Sequence, residues 1–224
     1  MDLEIEKIIR SRRKTVALQV TERATLIVRA PYHTRKKTIL DIVTKHEKWI
    51  EKKRKEIRER NRETPAKRFV DGEAFLYLGK PYPLKIVNDG TFQLKFDDGF
   101  FLVQDARDAA RKVFEDWYRK TAREIIPERV AQHSMKGPFS YNRIRITHAR
   151  KRWGSCSPKG NLNFSWRLIM APLPVIDYVV IHELVHLVER NHSSRFWGKV
   201  ESLMPEFKIH RDWLKKNGYL LQVF

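Results

Sequence analysis

Cysteine is nearly absent: Cys156 is the sole one in 224 residues, so no internal disulfide can staple the fold. Nowhere does the sequence run to the roughly eighteen uncharged apolar residues that a membrane-spanning helix needs. The opening stretch MDLEIEKIIRSRRKTVALQV mixes acids with bases and has no signal-peptide apolar core. These absences predict a cytoplasmic protein that does not engage a membrane. Internal repeats and low-complexity segments are also missing, which argues against solenoids and disordered tails. So are a glycine-rich phosphate loop and a carboxylate cluster suited to magnesium, and both absences weigh against nucleotide hydrolysis.

What is present is enough to bury a core. Apolar residues make up 42% of the chain, with six Trp and twelve Phe, so one domain or two small ones can fold. Basic residues outnumber acidic ones by 46 to 27, a net charge of +19. Such a surface attracts nucleic acid, nucleotides or acidic proteins. The stretch EKKRKEIRERNRETPAKR, Glu51 to Arg68, holds nine of the cations and four acids. Glu51/Lys55 and Lys55/Glu59 are spaced as i,i+4 pairs, which predicts a solvated helix face. Tracking a nucleic-acid backbone is the alternative reading.

TVALQV and ATLIVRAP alternate with period two around TERA and predict a hairpin. A long amphipathic helix is expected from Thr34 to Asn61 and a second from Asp105 to His133, with Pro127 kinking or splitting the latter. Between them, residues 69–103 read as a β meander with hairpin turns at Asn88-Asp89-Gly90 and Asp97-Asp98-Gly99. SYNRIRITHARKRWGSCSPKGNLNFSWRLIMAP reads as two strands joined at SPKG. Helices follow over the Ile176 segment, from Ser194 to Met204, and near Asp212. Strands and helices do not alternate regularly, so the fold class is α+β, a small mixed or antiparallel sheet packed on long helices.

The chemistry concentrates in IDYVVIHELVHLVERNHSSRFW, Ile176 to Trp197. His182 and His186 stand about 40° apart on a helix, one turn above each other, so both imidazoles reach one ion. Glu183 lies about 100° round from His182, beside the position of an activated water rather than in the ligand set. A carboxylate there takes a proton and later delivers it to a leaving amine. Ile176, Val179, Val180, Leu184 and Leu187 make the helix apolar, and an unpaired carboxylate in such a helix is costly without a role. His192, ten residues after His182, is the favoured third ligand, with Glu189 and Glu201 as competitors. An unbroken helix would carry His192 about 15 Å along the axis, so the helix must end first. Asn191 is placed to take a left-handed conformation there, and Ser193 to cap the next helix.

These stretches resemble the YgjP-like metallopeptidase domain family, related to SprT-like and minigluzincin zinc peptidases. The resemblance rests on RSRRKTVALQV, VRAP, YLGKPYPL, RKRWGSCSPKGNLNFSWRLIMAP, the Ile176–Trp197 stretch and WLKKNG. It implies a zincin-like catalytic region with one zinc ion held by His182, His186 and His192, and Glu183 as base. It also implies that the RWGSC to RLIMA strands lie beside the metal helix, where an edge strand could pair with an extended peptide. The expected division is an accessory region over 1–103, β-rich with the long basic helix, and a metallopeptidase region over 104–224.

The leading reading is therefore a zinc-dependent peptidase acting on peptides or proteins. A metal-dependent nucleoside triphosphate phosphohydrolase and a nucleic-acid-associated module carrying a protease site are the alternatives. His148, Arg150, Arg152, Tyr178 and Tyr219 are candidate donors to a substrate carbonyl, and His210 a candidate support or oxyanion-facing group. Cys156 reads as a small buried thiol, with a zinc-blocking switch as the alternative. Trp153, Phe196 and Trp197 read as packing, and Gly154 as a place where backbone can approach closely.

Overall fold

The computed structural model describes residues 4–63, 66–87, 93–104 and 109–222. Two compact units result, Met1–Pro65 and Ala66–Phe224. Their junction lies at 65/66, whereas the sequence suggested a division at 103/104.

In the first unit, strands β1 (Ile5–Ser11), β2 (Ala17–Val20) and β3 (Leu26–Pro31) form a sheet of order β1-β3-β2. The expected hairpin is β2–β3, antiparallel, closed by the Thr21 N–H donating to the Thr25 carbonyl at 2.9 Å. β1 adds a parallel strand on the other side of β3. Leu26, Val28 and Ala30 alternate inward from β3 and meet Ile39, Val43 and Ile50. Those three come from two helices, α1 (Lys36–Lys45) and α2 (Glu47–Glu63), where one was expected. The break is at His46, whose φ/ψ of −106°/14° leaves the helical region and whose Nδ1–H donates to the Ile42 carbonyl at 2.8 Å. On α2, Lys55 pairs with Glu59 at 3.9 Å, while Glu51 pairs with Arg54 at 3.1 Å rather than with Lys55.

The second unit opens with β4 (Ala74–Tyr77), β5 (Lys80–Val87), β6 (Leu94–Asp97) and β7 (Phe100–Gln104). The order is β4-β5-β7-β6, with β5 and β7 parallel, so the expected meander is interrupted. The two-residue turns Leu78-Gly79 and Asp98-Gly99 carry positive φ at both positions, the mirror-image type whose twist matches the strands it joins. The expected turn at 88–90 lies outside the described residues. Helix α3 (Ala110–Ser134) runs through Pro127 without ending, with Ile126 and Val130 buried on either side. That packing offsets the hydrogen bond proline cannot make. The expected start of α3 at Asp105 also lies outside the described residues. Phe75 stacks on Phe114 at 4.1 Å, Phe101 meets Trp117 at 5.0 Å, and the Tyr118 hydroxyl donates to the Leu76 carbonyl at 2.7 Å. Sheet and α3 thus share one aromatic core.

The stretch read as two strands forms three, β8 (Arg143–Thr147), β9 (Gly154–Cys156) and β10 (Asn161–Ser165). Their order is β8-β10-β9, parallel between β8 and β10 and antiparallel between β10 and β9, which leaves β9 on an edge. A 3-10 turn, Trp166–Met170, then leads into α4 (Leu173–Val185). Helices α5 (Ser194–Leu203) and α6 (Phe207–Asn217) and a 3-10 turn, Gly218–Gln222, complete the unit. Six helices and three small sheets among the described residues make an α+β fold.

Two anchors fix α4. At its start, Leu78 and Gly79 donate backbone N–H bonds to the Ile169 and Met170 carbonyls at 3.0 and 3.1 Å. A Cβ on Gly79 would stand 2.8 Å from the Pro172 Cα, so only glycine lets the hairpin tip come this close. Further along, Asp177 accepts a bidentate pair from Arg129 of α3 at 2.6 and 2.7 Å, with His133 Nε2 at 3.2 Å. Burial alone would raise the Asp177 carboxyl; bonds from His133 and Arg129 reverse this and hold it below the usual range. Ile176, Val180, Leu184 and Val185 are fully buried around the helix, each contributing about 1.5–3 kcal/mol by leaving water.

Candidate metal centre

His182 sits in the last turn of α4 and His186 caps its C-terminus. The helix ends by tightening: Leu187 donates to Leu184 O at 3.0 Å and Val188 to Val185 O at 3.1 Å, i→i−3 bonds of 3-10 type. Asn191 is not among the residues with positive φ, so the expected left-handed break does not occur there. A tightened final turn does the work instead, which is why neither glycine nor a left-handed asparagine is needed. Ser193 then caps α5, its side chain accepting from the Phe196 N–H at 3.4 Å, as expected.

This turn carries His192 back to the helix. Its Nε2 lies 3.0 Å from His182 Nε2 and 3.1 Å from His186 Nε2. Three nitrogens about 2.0–2.1 Å from a tetrahedral zinc would stand about 3.3 Å apart, within a few tenths of what is seen. The chemistry of the donors also suits a cation. His186 Nδ1–H donates to the Glu189 carbonyl at 3.1 Å, leaving the Nε2 lone pair for the cluster. Burial, reinforced by the neighbouring His186 and His192, pulls His182 down to about 3. Burial also lowers His186. Both rings are therefore neutral near pH 7, the state a metal requires.

Phe196 of α5 is fully buried, its ring centroid 4.9, 4.6 and 4.7 Å from those of His182, His186 and His192. Trp197 stacks on His192 at 5.6 Å. Both pack, as the sequence suggested, but against the histidines themselves. The residues that could hold a metal, among those described, are these three histidines; Glu189 and Glu201 do not join them. Glu201 faces Lys208 at 3.1 Å, and Glu189 offers His186 its backbone carbonyl.

Glu183 is 5% exposed. Burial pushes its carboxyl up to about 8, against the opposing Arg152 charge and a bond from the Cys156 backbone. The contrast with Asp177 is instructive: both are buried acids on α4, but only Asp177 has a guanidinium clamped to it. A Cβ on Gly154 would fall 2.5 Å from Glu183 Oε1, so β9 lies directly against the carboxyl group. The close approach expected at Gly154 is thus an approach of its own strand to Glu183.

Of the candidate donors, Tyr178 lines the same hollow as His182 and Glu183, its ring 6.0 Å from that of His182. Burial raises its phenol to about 12, so it stays a proton donor. His148 is engaged with Arg119 and Trp166 at 3.1 and 3.3 Å, and the Arg150 carbonyl accepts from Gln222. Arg152 lines an adjoining hollow with Gly154. Tyr219 lies in the final 3-10 turn and His210 on α6, outside the linings of the hollows around the histidines. Cys156 is half-buried on β9 and lines the cleft, its thiol raised by burial and by Glu183.

These shifts make the metal-free protein sensitive to pH. The folded chain keeps the Glu183 proton until about pH 8, while the unfolded chain releases it near 4.5. Stability from this group is present below 4.5 and lost as pH rises through 8, by up to about 1.4 kcal/mol per pH unit. His182 acts oppositely: protonated near 6.5 when unfolded and near 3 when folded, it costs stability as pH falls below 6.5. Urea unfolding of chelated protein should therefore show a midpoint that falls between pH 6.5 and 8. Glu183→Gln should hold that midpoint level, and an equal fall in the variant would clear Glu183 as the cause.

Solved structures similar to the chain include the metallopeptidase zymogen of Pyrococcus abyssi abylysin, 23% identical with a TM-score of 0.38, covering 41% of this chain and 94% of that one. The metallopeptidase zymogen of Methanocaldococcus jannaschii jannalysin is 18% identical with a TM-score of 0.31, covering 38% and 90%. Comparison with curated proteins gives no match. The family model for the YgjP-like metallopeptidase domain matches residues 14–217, nearly the whole length. The chain belongs to the YgjP-like metallopeptidase family.

Proposed function

We propose that the protein is a zinc-dependent peptidase holding one ion per chain with His182, His186 and His192, and using Glu183 as general base. The observation that carries this reading is the convergence of three Nε2 atoms within hydrogen-bond distance of one another, next to a buried carboxyl that no cation clamps among the described residues. When bound, zinc supplies a Lewis acid that acidifies water and polarises a scissile carbonyl.

The chain's own groups do the rest. Glu183 is protonated at neutral pH in the metal-free chain; a bound cation beside it would favour the carboxylate, which accepts a proton from the attacking water and passes it to the departing nitrogen. β9, an edge strand whose Cys156 N–H is turned to Glu183, offers its remaining outer backbone groups to an extended substrate and aligns the scissile bond over Glu183. Tyr178, a neutral phenol beside His182, is placed to donate to the oxygen on which charge develops. Phe196 closes the inner side of the histidine cluster against water.

The test is metal analysis joined to turnover. Purified protein should carry about one zinc per chain, cleave unstructured casein, lose activity on chelation and regain it with zinc. A protein that neither contains zinc nor binds it would end this reading.

A further inference from the structure

Two hollows meet at the candidate site, sharing Gly154, His182 and Glu183. They diverge in the same order along both α4 and β9. One, about 290 Å³, lies toward Trp153 and the preceding turn of α4, where it is walled by Tyr178, Val179 and Leu214. The other, about 710 Å³, lies toward the β9–β10 turn and the end of α4. An extended chain laid along β9 crosses from one to the other as it passes Glu183.

Their chemistry differs. Trp153, Val179 and Leu214 give the smaller hollow an apolar wall, with the Arg211 side chain also lining it. The larger carries serines and two cations, Lys159 and Arg190; its one carboxyl is Glu183. Arg190 is held across the cleft wall by a bond from Nη2 to the Pro158 carbonyl at 3.3 Å. Both cations are solvent-exposed at the mouth.

We propose that Arg190 and Lys159 select peptide substrates with an acidic side chain on one side of the scissile bond, while the Trp153–Val179–Leu214 hollow takes an apolar side chain on the other. This rests on the peptidase reading above and specifies its substrate class. A Lys or Arg in the cleft meets like charge, whereas Asp or Glu gains two partly solvated pairings. Serines along the cleft suit a carboxylate better than an apolar chain.

Peptides randomised on both sides of the scissile bond, digested by the zinc-loaded enzyme and read by mass spectrometry, test this. Asp and Glu should exceed Lys and Arg by about fivefold on one side, with apolar residues enriched on the other. Lys159→Glu combined with Arg190→Glu should invert the charge preference and keep the apolar one; both sites are exposed, and zinc content checks the fold. Equal use of acidic and basic peptides, or an acidic preference surviving the double reversal, overturns the proposal and leaves the peptidase standing. Binding of labelled acidic and basic peptides to zinc-loaded Glu183→Gln separates the two failures. Selective capture of acidic peptides with no cleavage by the wild type upholds the ligand class and rejects the peptidase. A nucleoside triphosphate that displaces the acidic peptide, and is hydrolysed by the wild type, assigns the cleft to phosphate and overturns the proposal.

Discussion

Glu183→Gln should lower peptide hydrolysis by about 10³- to 10⁴-fold while zinc stays at one ion per chain. Glutamine fills the same space beside Gly154 and still accepts from the Cys156 backbone, but it cannot take a proton from water. The fold should tolerate the change, because the substitution removes a buried carboxyl whose charged form is penalised. Turnover and metal content must be measured on the same preparation. Full activity in the variant would reject Glu183 as base, and loss of zinc would show that it shapes the ligand set instead.

Gly154→Ala should cut the rate by about 10²-fold with zinc and stability nearly intact. The added methyl would lie 2.5, 2.6 and 2.8 Å from Glu183 Oε1, Cγ and Cδ. These atoms all belong to the Glu183 side chain and none to backbone, so the collision falls on the carboxyl group and its stem. Relief, however, moves the carboxyl group, and a displacement of about 1 Å costs about 10²-fold in a positioned reaction. Comparing kcat with urea midpoints separates the effects. A variant that unfolds early, or one that works normally, would contradict this account of Gly154.

Much of the site was legible because it is local. His182, Glu183 and His186 are fixed relative to one another by helical periodicity alone, and His192 had to follow a chain reversal. The manner of that reversal was not legible: i→i−3 bonds at Leu187 and Val188 leave no compositional mark, unlike glycine. Gly154 could be flagged but not matched to Glu183, since the approach depends on how β9 meets α4. Asp177 carried a signal that went unread. An acid between Ile176 and Tyr178 in a buried helix requires a cationic partner, and Arg129 lies 48 residues away. Lys159 and Arg190 likewise acquire meaning only where the β9–β10 turn meets the end of α4.

In the fold, the β2–β3 hairpin and the three C-terminal helices follow from periodicity and turn residues. The parallel pairings of β1 with β3 and β5 with β7 do not, because they join strands across intervening chain. The break at His46 has neither glycine nor proline to announce it.

The hairpin tip at Leu78-Gly79 has a bearing on where the chain can be divided. It grips the residues that lead into α4, and Phe75 and Phe101 lie in the core that α3 completes. A fragment beginning at residue 104 would keep His182, His186, His192 and Glu183 yet lack the brace that sets the helix carrying the first two histidines and Glu183. A cut at the 65/66 junction leaves that brace attached. The smallest portable form of the candidate site is therefore longer than the three histidines and Glu183 alone would suggest.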